Sequence, residues 1–479
     1  MPSLTFSCED VHGYTLEILS ETGIQIKDAA LHERLRHHDV RCDAGSGRIH
    51  FERKQVERAL QTLPEVVTLA ARDPAFDIRL TSDTRLRFMP SGTGVAVFDG
   101  KSGRRRSSTL SDAEQFARLC QILPQVDIAR PVVTATDRPV QKSDLFEFQA
   151  AFRYAAKHVH HRVLRLENVK PLIEMGDVLA GGRASLRRRP LFSVCYCPTS
   201  PLSIVPETAA CMLAFAEHGI PVLVLSMAMG GATAPATLLG EVMLINTEII
   251  AGVTLIQTLS PGSPVLYGSV SSVMDMKTAI LALGAPERGL ISGALGRMAN
   301  YYRIPSVMGG LSSDADRVDF QAGFEKALTA IPLLERVNIL FGVGMLHAGN
   351  TYSLQQFVLD AEAAGALKAL AAEREDDGRE TCDLIKKIGA CNHYLLEPHT
   401  LKHYGRYWRP QFFNRSIDNT LSAPGASLLE RTDGFLSETL DANIPKVIDT
   451  AADKALAAIL KKAVNGPPQS ACGGHDAAV

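Results

Sequence analysis

The sequence lacks the signs of several protein classes. Its 50 Lys and Arg balance 52 Asp and Glu, leaving a formal charge of −2, so there is no basic excess for an obligatory nucleic-acid partner. Its nine cysteines are an odd, scattered set. Only Cys195 and Cys197 lie close, as alternate residues on one strand face do. That reads as a reducing compartment without a disulfide framework. The N-terminus, Met-Pro-Ser-Leu-Thr-Phe-Ser-Cys-Glu-Asp, has neither the basic nor the apolar region of a secretory signal. One long uncharged run, Gly219–Gly240, is interrupted by Gly230, Gly231 and Pro235. It predicts a strand, a loop and a helix start, not a membrane span. A cytoplasmic protein with no membrane partner is the expectation.

With 479 residues, 46% of them hydrophobic, the chain can bury a large core. Short apolar, β-branched runs alternate with helical ones, and nearly every run ends in small residues. Phe192–Cys197 leads into Pro198, Pro221–Leu225 into Ser226, Val265–Tyr267 into Gly268-Ser269. Pro305–Met308 leads into Gly309-Gly310, and Ile339–Phe341 into Gly342-Val343-Gly344. Adding Asp127–Thr134, His160–Leu166 and Gly289–Ser292 makes eight strand–helix pairs. The pattern predicts an α/β fold, a closed (β/α)8 TIM barrel over residues 116–372, with a doubly wound open sheet as the alternative. Residues 1–115 read as an N-terminal α+β extension, with a hairpin of Leu86–Met89 and Val95–Phe98. Residues 373–465 read as a C-terminal cap with a terminal helix at Ile444–Val464, and 466–479 as a disordered tail.

Candidate chemistry gathers after the strands, where such folds keep their sites. His158, His160 and His161 invite a metal reading, and alternation puts His158 and His160 on one face. No Cys or carboxylate completes a tetrahedral set, so a packed histidine cluster and no metal are expected. Gly309-Gly310 and Gly342-Val343-Gly344 suit either a phosphate or close backbone packing, and Asp314 and Asp316 nearby disfavour phosphate. Arg104-Arg105-Arg106 and Arg187-Arg188-Arg189 read as solvated loop charge, or as a dock for an acidic partner. Asp137, Glu207, Asp275 and Asp314 either face a barrel mouth or cap a helix. His347 has no helix to cap. With Phe98, Tyr196, Tyr267 and Phe341 it can line an aromatic, polar pocket suited to a quaternary ammonium group. The bland alternative is that these rings are core. Ser226 and Ser269, at strand ends, join the candidate substrate contacts.

Several linked motifs then resemble the trimethylamine methyltransferase family. They are Cys197-Pro-Thr-Ser-Pro-Leu202, Leu225-Ser-Met-Ala-Met229, Tyr267-Gly-Ser269, Gly289-Leu-Ile-Ser292, Ser313-Asp-Ala315, Gln321-Ala-Gly323, Glu325 and Gly344-Met-Leu346. Gly92-Thr-Gly94, Ala156-Lys-His158 and His160-His161 extend the match forward, and His399-Thr400 extends it toward the C-terminus. The resemblance implies a barrel that moves a methyl group from a methylated amine to the Co(I) centre of a separate corrinoid protein. No cofactor is then bound by this chain directly. Founding members carry pyrrolysine where this sequence has Ser312, and a serine cannot form the adduct proposed for that residue with a tertiary amine. The sequence is similar instead to the non-pyrrolysine branch, which includes glycine betaine methyltransferases. A quaternary amine (betaine-type) is the expected substrate, and trimethylamine or a sulfonium compound the alternatives. A non-catalytic binder of quaternary ammonium is the alternative from another class. Ser312, Asp314 and Glu207 are the candidates for the reacting centre, His347 for reading a carboxylate. A homo-oligomer is the expected assembly.

Overall fold

The apolar runs pair side by side into one parallel sheet. The computed structural model describes residues 3–81, 86–100, 102–372, 377–415, 425–441 and 446–466. The sheet strands are β1 (Arg87–Pro90), β2 (Val159–Arg162), β3 (Phe192–Tyr196), β4 (Val222–Ser226), β5 (Val265–Ser269), β6 (Ser306–Gly309) and β7 (Ile339–Val343). Their spatial order is β1-β7-β6-β5-β4-β3-β2, so the first strand lies beside the last and the sheet curls. All these pairings are parallel. A segment near residue 128 reaches both edges. Ala129 bridges Val159 of β2, and Asp127 N–H donates to Phe88 O of β1 at 2.9 Å.

Strand alternation sorts the side chains. Cys195, Leu223, Leu225, Leu266, Val307, Ile339 and Phe341 pack together inside the curl. Val194, Val222, Val224 and Tyr267 face the helices. A hairpin of Val67–Leu69 and Ile78–Leu80 closes the N-terminal end of the interior with apolar side chains.

The helices between strands start where local chemistry satisfies free N–H groups. Thr109 caps α1 (Leu110–Ile122), and α2 (Ser143–Tyr154), α3 (Leu166–Ala180) and α4 (Pro206–Glu217) follow. Thr237 caps α5 (Leu238–Leu259), a helix long and apolar enough to cross a membrane but mostly buried inside the fold. Pro286 opens α6 (Pro286–Tyr301), Asp319 caps α7 (Phe320–Ala330) and Ser353 caps α8 (Leu354–Ala371). The N-terminal helices Cys8–Glu21 and Arg53–Gln61 pack on α5. In the C-terminal part, Leu428–Asp441 packs on α8 and Thr450–Asn465 on α3.

Three strand assignments change. Gly289–Ser292 lies inside α6. Leu86–Met89 is no hairpin arm: Arg87–Pro90 is sheet strand β1, paired with β7. Asp127–Thr134 makes only single bridges, at Ala129 and Val133. The other supposed arm, Ala96–Asp99, pairs with Arg104–Ser107 and Thr351–Tyr352. The expected tail from residue 467 lies outside the described residues.

Candidate active site

Two loops at the C-terminal end of the sheet are built together. After β7 the chain turns at Gly344, whose φ is +88° and whose Cβ would stand 2.7 Å from Phe357, so only glycine fits. His347 and Ala348 then adopt left-handed φ values of 48° and 50°. That conformation is strained for ordinary residues. It is held by His347 N–H donating to Ala315 O at 2.8 Å and Ala348 N–H to Ser313 O at 3.2 Å.

The imidazole meets Arg105, whose Nη1 lies 2.8 Å from His347 Nδ1. The same Nη1 lies 3.4 Å from Nε2, and since a guanidinium only donates, the shorter contact makes Nδ1 the acceptor. Phe98, Gly103, Arg105, Asp316, Arg317 and His347 line a cleft of about 290 Å³. Arg317 is paired with Asp316, so Arg105 and His347 supply its free donors.

Beneath the loops lies a buried ion pair, Lys326 Nζ to Asp360 Oδ2 at 2.8 Å. Lys326 also donates to Leu311 O, and Asp360 accepts from Gly344 N–H at 2.7 Å. One pair therefore fixes both loops. Burial pushes the lysine's pKa down and the aspartate's up, and each charge opposes the shift of the other.

The three candidates for the reacting centre serve different contacts. Ser312 is fully buried; its Oγ donates to Gly310 O and its N–H to Thr329 Oγ1. Asp314 accepts from Leu283 and Gly284 N–H at 2.9 Å each, tying the neighbouring loop down, and burial raises its pKa. Glu207 accepts from Leu166 N–H at the start of α3 and pairs with Arg165 at 3.1 Å.

The expected aromatic pocket is not assembled. Tyr267 faces the helices, donating to Asn246 Oδ1 at 2.8 Å and stacking on Tyr302. Tyr196 packs beside Phe215 of α4. Ser226 Oγ donates to Glu248 on α5, and Ser269 Oγ accepts from Ser271 N–H. The reason is strand parity: in a sheet covered on both sides, apolar residues occupy both faces, and the sequence does not mark the inner one. Of the four rings, Phe98 borders the outer cleft and Phe341 faces the interior.

Phe341 is itself covered. The guanidinium of Arg130 lies 5.0 Å from its centroid. Arg130 Nη2 donates to Gly92 O at 3.3 Å, while its Nε and Nη1 have no protein partner although the residue is 2% exposed. Arg162, at the end of β2, donates to Thr134 Oγ1 and keeps an unpartnered Nε. Both charges bear on Cys197, whose thiol pKa desolvation pushes up to about 12. Sequence reasoning missed Arg130 and Arg105. The first had a readable signal, a charged residue in the middle of the predicted run Asp127–Thr134. The second belongs to a basic run that reads as loop charge, yet Arg104–Ser107 is a strand.

The histidines form a packed cluster. His158 Nε2 and His160 Nδ1 both approach Ser193 Oγ at 2.8 Å, on one face, while His161 points the other way to Glu147 at 2.6 Å. No group of three or more His, Cys, Asp or Glu side chains suited to a metal occurs among the described residues.

Comparison with known proteins places this geometry. A family model described as trimethylamine methyltransferase matches residues 6–467. Trimethylamine methyltransferase MttB of Desulfitobacterium hafniense is 34% identical over 419 residues, covering 87% of this chain and 84% of its own. A glycine betaine methyltransferase of the same species is 29% identical over 469 residues, 96% of this chain and 97% of its own. Among solved structures, the monomethylamine methyltransferase MtmB of Methanosarcina barkeri superposes with a TM-score of 0.50 at 14% identity. That superposition covers 77% of this chain and 74% of MtmB, and it shows likeness of fold alone.

Proposed function

The chain belongs to the trimethylamine methyltransferase family and is a methyltransferase, and we propose that it takes a methyl group from a betaine-type quaternary amine and passes it to the Co(I) centre of a corrinoid carried by a separate protein. The reading includes closure of the curled sheet into a full eight-stave barrel through the segment at Ala129, a cytoplasmic location and a homo-oligomeric assembly. The Arg105–His347 pair carries the reading of the substrate. It offers a charged guanidinium beside an imidazole, a pair suited to a carboxylate.

The chemistry suits so spare a site. The corrinoid supplies the nucleophile. A quaternary nitrogen leaves as a neutral tertiary amine, so no proton must reach it and no protein nucleophile is needed. The remaining task is orientation. His347 and Arg105 hold the carboxylate, and the Lys326–Asp360 pair holds the loops that carry them. Met227, Met276 and Ile280, all at least half exposed, lie on segments that follow β4 and β5, and an apolar rim of this kind fits a broad, flat macrocycle. Ser312, locked into its own loop, has no imine to engage a tertiary amine.

The experiment is methylation of Co(I) cobalamin, followed by its absorbance, with glycine betaine, related betaines, choline and trimethylamine as donors. Turnover with betaines and not with trimethylamine supports the reading. Turnover with trimethylamine alone rejects it.

A further inference from the structure

Arg130 is an anomaly for which the fold gives no structural reason. It is 2% exposed, stands next to Ala129 in the segment that bridges to β2, and lies inside the curl beside Cys195. A buried charge is costly unless paired. Among the described residues Arg130 has no carboxylate within ion-pair distance, whereas the buried Lys326 has Asp360. Its protein contacts are one long bond to Gly92 O, a 4.0 Å approach to Cys195 Sγ and the face of Phe341. Nε and Nη1 are left without a partner.

Two consequences follow for a ligand. Phe341 is the one expected aromatic that faces the interior, and a cation already covers it. An ammonium group approaching that ring meets a guanidinium instead of a free π face. The two unpartnered N–H groups, with the Arg162 charge also bearing on the neighbouring Cys197, favour an anion.

We infer that Arg130 is a specificity determinant that excludes organic cations bringing no anionic group and admits zwitterions. The inference rests on the quaternary-amine reading but not on which residue finally holds the carboxylate. It assigns selection by repulsion as much as by attraction. A unit charge about 6 Å from a cationic ligand, in a medium of effective dielectric near 20, changes affinity by about 10- to 100-fold.

The test compares the wild-type chain with Arg130→Met, Arg130→Gln and Arg130→Lys. Glycine betaine, choline and tetramethylammonium are the probes, used both in calorimetric binding and in turnover with Co(I) cobalamin. Removing the charge is expected to shift the betaine-to-choline affinity ratio by about 10- to 100-fold toward choline. Choline and tetramethylammonium are expected to bind more tightly in absolute terms. Lysine is expected to keep the wild-type order. The melting temperature of Arg130→Met is expected to hold or rise, because an unpaired buried charge is removed. A purely structural arginine predicts the reverse, a lower melting temperature and equal losses for all three probes, and that result overturns the inference. So does an unchanged ratio in a folded Arg130→Gln protein. A wild type that binds and demethylates none of these amines counts instead against the functional reading.

Discussion

Arg105 Nη1 donates to His347 Nδ1 at 2.8 Å, joining residues 242 positions apart. The contact joins two side chains that are unremarkable alone. The arginine brings a positive charge to the side of the imidazole. The left-handed backbone at His347 aims the ring toward it.

His347→Ala should therefore lower kcat/KM for glycine betaine by one to two orders of magnitude, since a charge-assisted hydrogen bond is worth roughly 1.5–3 kcal/mol. Choline, which has no carboxylate, should change by less than about threefold if only that bond is lost. Arg105→Ala should behave alike, and the double variant should lose less than the sum, because each residue acts through the other. Equal losses for betaine and choline in steady-state kinetics would reject the assignment.

Much of this was readable in the sequence, and the failures share causes. β3, β4, β6 and β7 were found because each is a short β-branched run between turn residues. Gly289–Ser292 was misread because α6 is rich in glycine. Gly289, Gly293 and Gly296 recur so that the helix can approach Pro332 and Arg336 closely; a Cβ on Gly296 would lie 2.7 Å from Arg336 O. Locally that spacing looks like a loop and a strand, although Pro286 marks a helix start. β1 reads as a strand but with the wrong partner, because its true one, Ile339–Val343, is some 250 residues away, while the glycine-rich loop after it imitates a hairpin. In the site, His347 could be singled out because it follows a strand and has no helix to cap. Its partner could not, since nothing local distinguishes Arg105 from its neighbours in a basic run.

Trimethylamine should not be a substrate. Ser312 Oγ is committed to Gly310 O inside a fully buried loop. Ser312→Ala should cost about 1 kcal/mol of stability, the worth of one buried hydrogen bond, and change betaine turnover only a few-fold. Urea denaturation and the Co(I) assay check both. Trimethylamine turnover by the wild type comparable to that of betaine would sink the idea.

The buried histidine cluster should draw stability down in mild acid. Desolvation lowers the pKa of His158 and of His161 from 6.5 to about 4, and that of His160 further. Below pH 6.5 the unfolded chain takes up protons that these folded histidines refuse, so each lowers stability by about 1.4 kcal/mol per pH unit toward its folded value. Asp144, raised to about 6 by burial, works the other way: between its unfolded and folded values it gains stability as pH falls. Glu241, raised to about 7, opposes the histidines in the same way, so the cluster's own share is read from a variant that removes one of its members. His160→Gln should flatten the slope of unfolding free energy against pH between pH 6 and 5 by close to one proton. An unchanged slope in denaturation series at several pH values would contradict the neutral cluster.

The Lys326–Asp360 pair gives the sharpest separation of stability from activity. Both side chains are almost wholly buried, and between them they hold Leu311 O and Gly344 N–H, one from each loop of the site. Lys326→Met leaves a buried carboxylate without its counter-charge and should cost about 3–5 kcal/mol. Lys326→Met combined with Asp360→Leu removes both charges and should recover much of that loss, because a well-packed apolar pair often replaces a buried ion pair at little cost. Activity should not recover with it. The double variant still leaves Leu311 O and Gly344 N–H without partners, so the loops bearing Ser312 and His347 lose their common anchor and the Arg105–His347 geometry loosens. Loosening of this kind raises KM for betaine more than for choline. Urea midpoints for the single and double variants, set beside kcat and KM for both substrates, test the account. A double variant that regains stability and betaine turnover together would show that the pair fixes the fold and not the site.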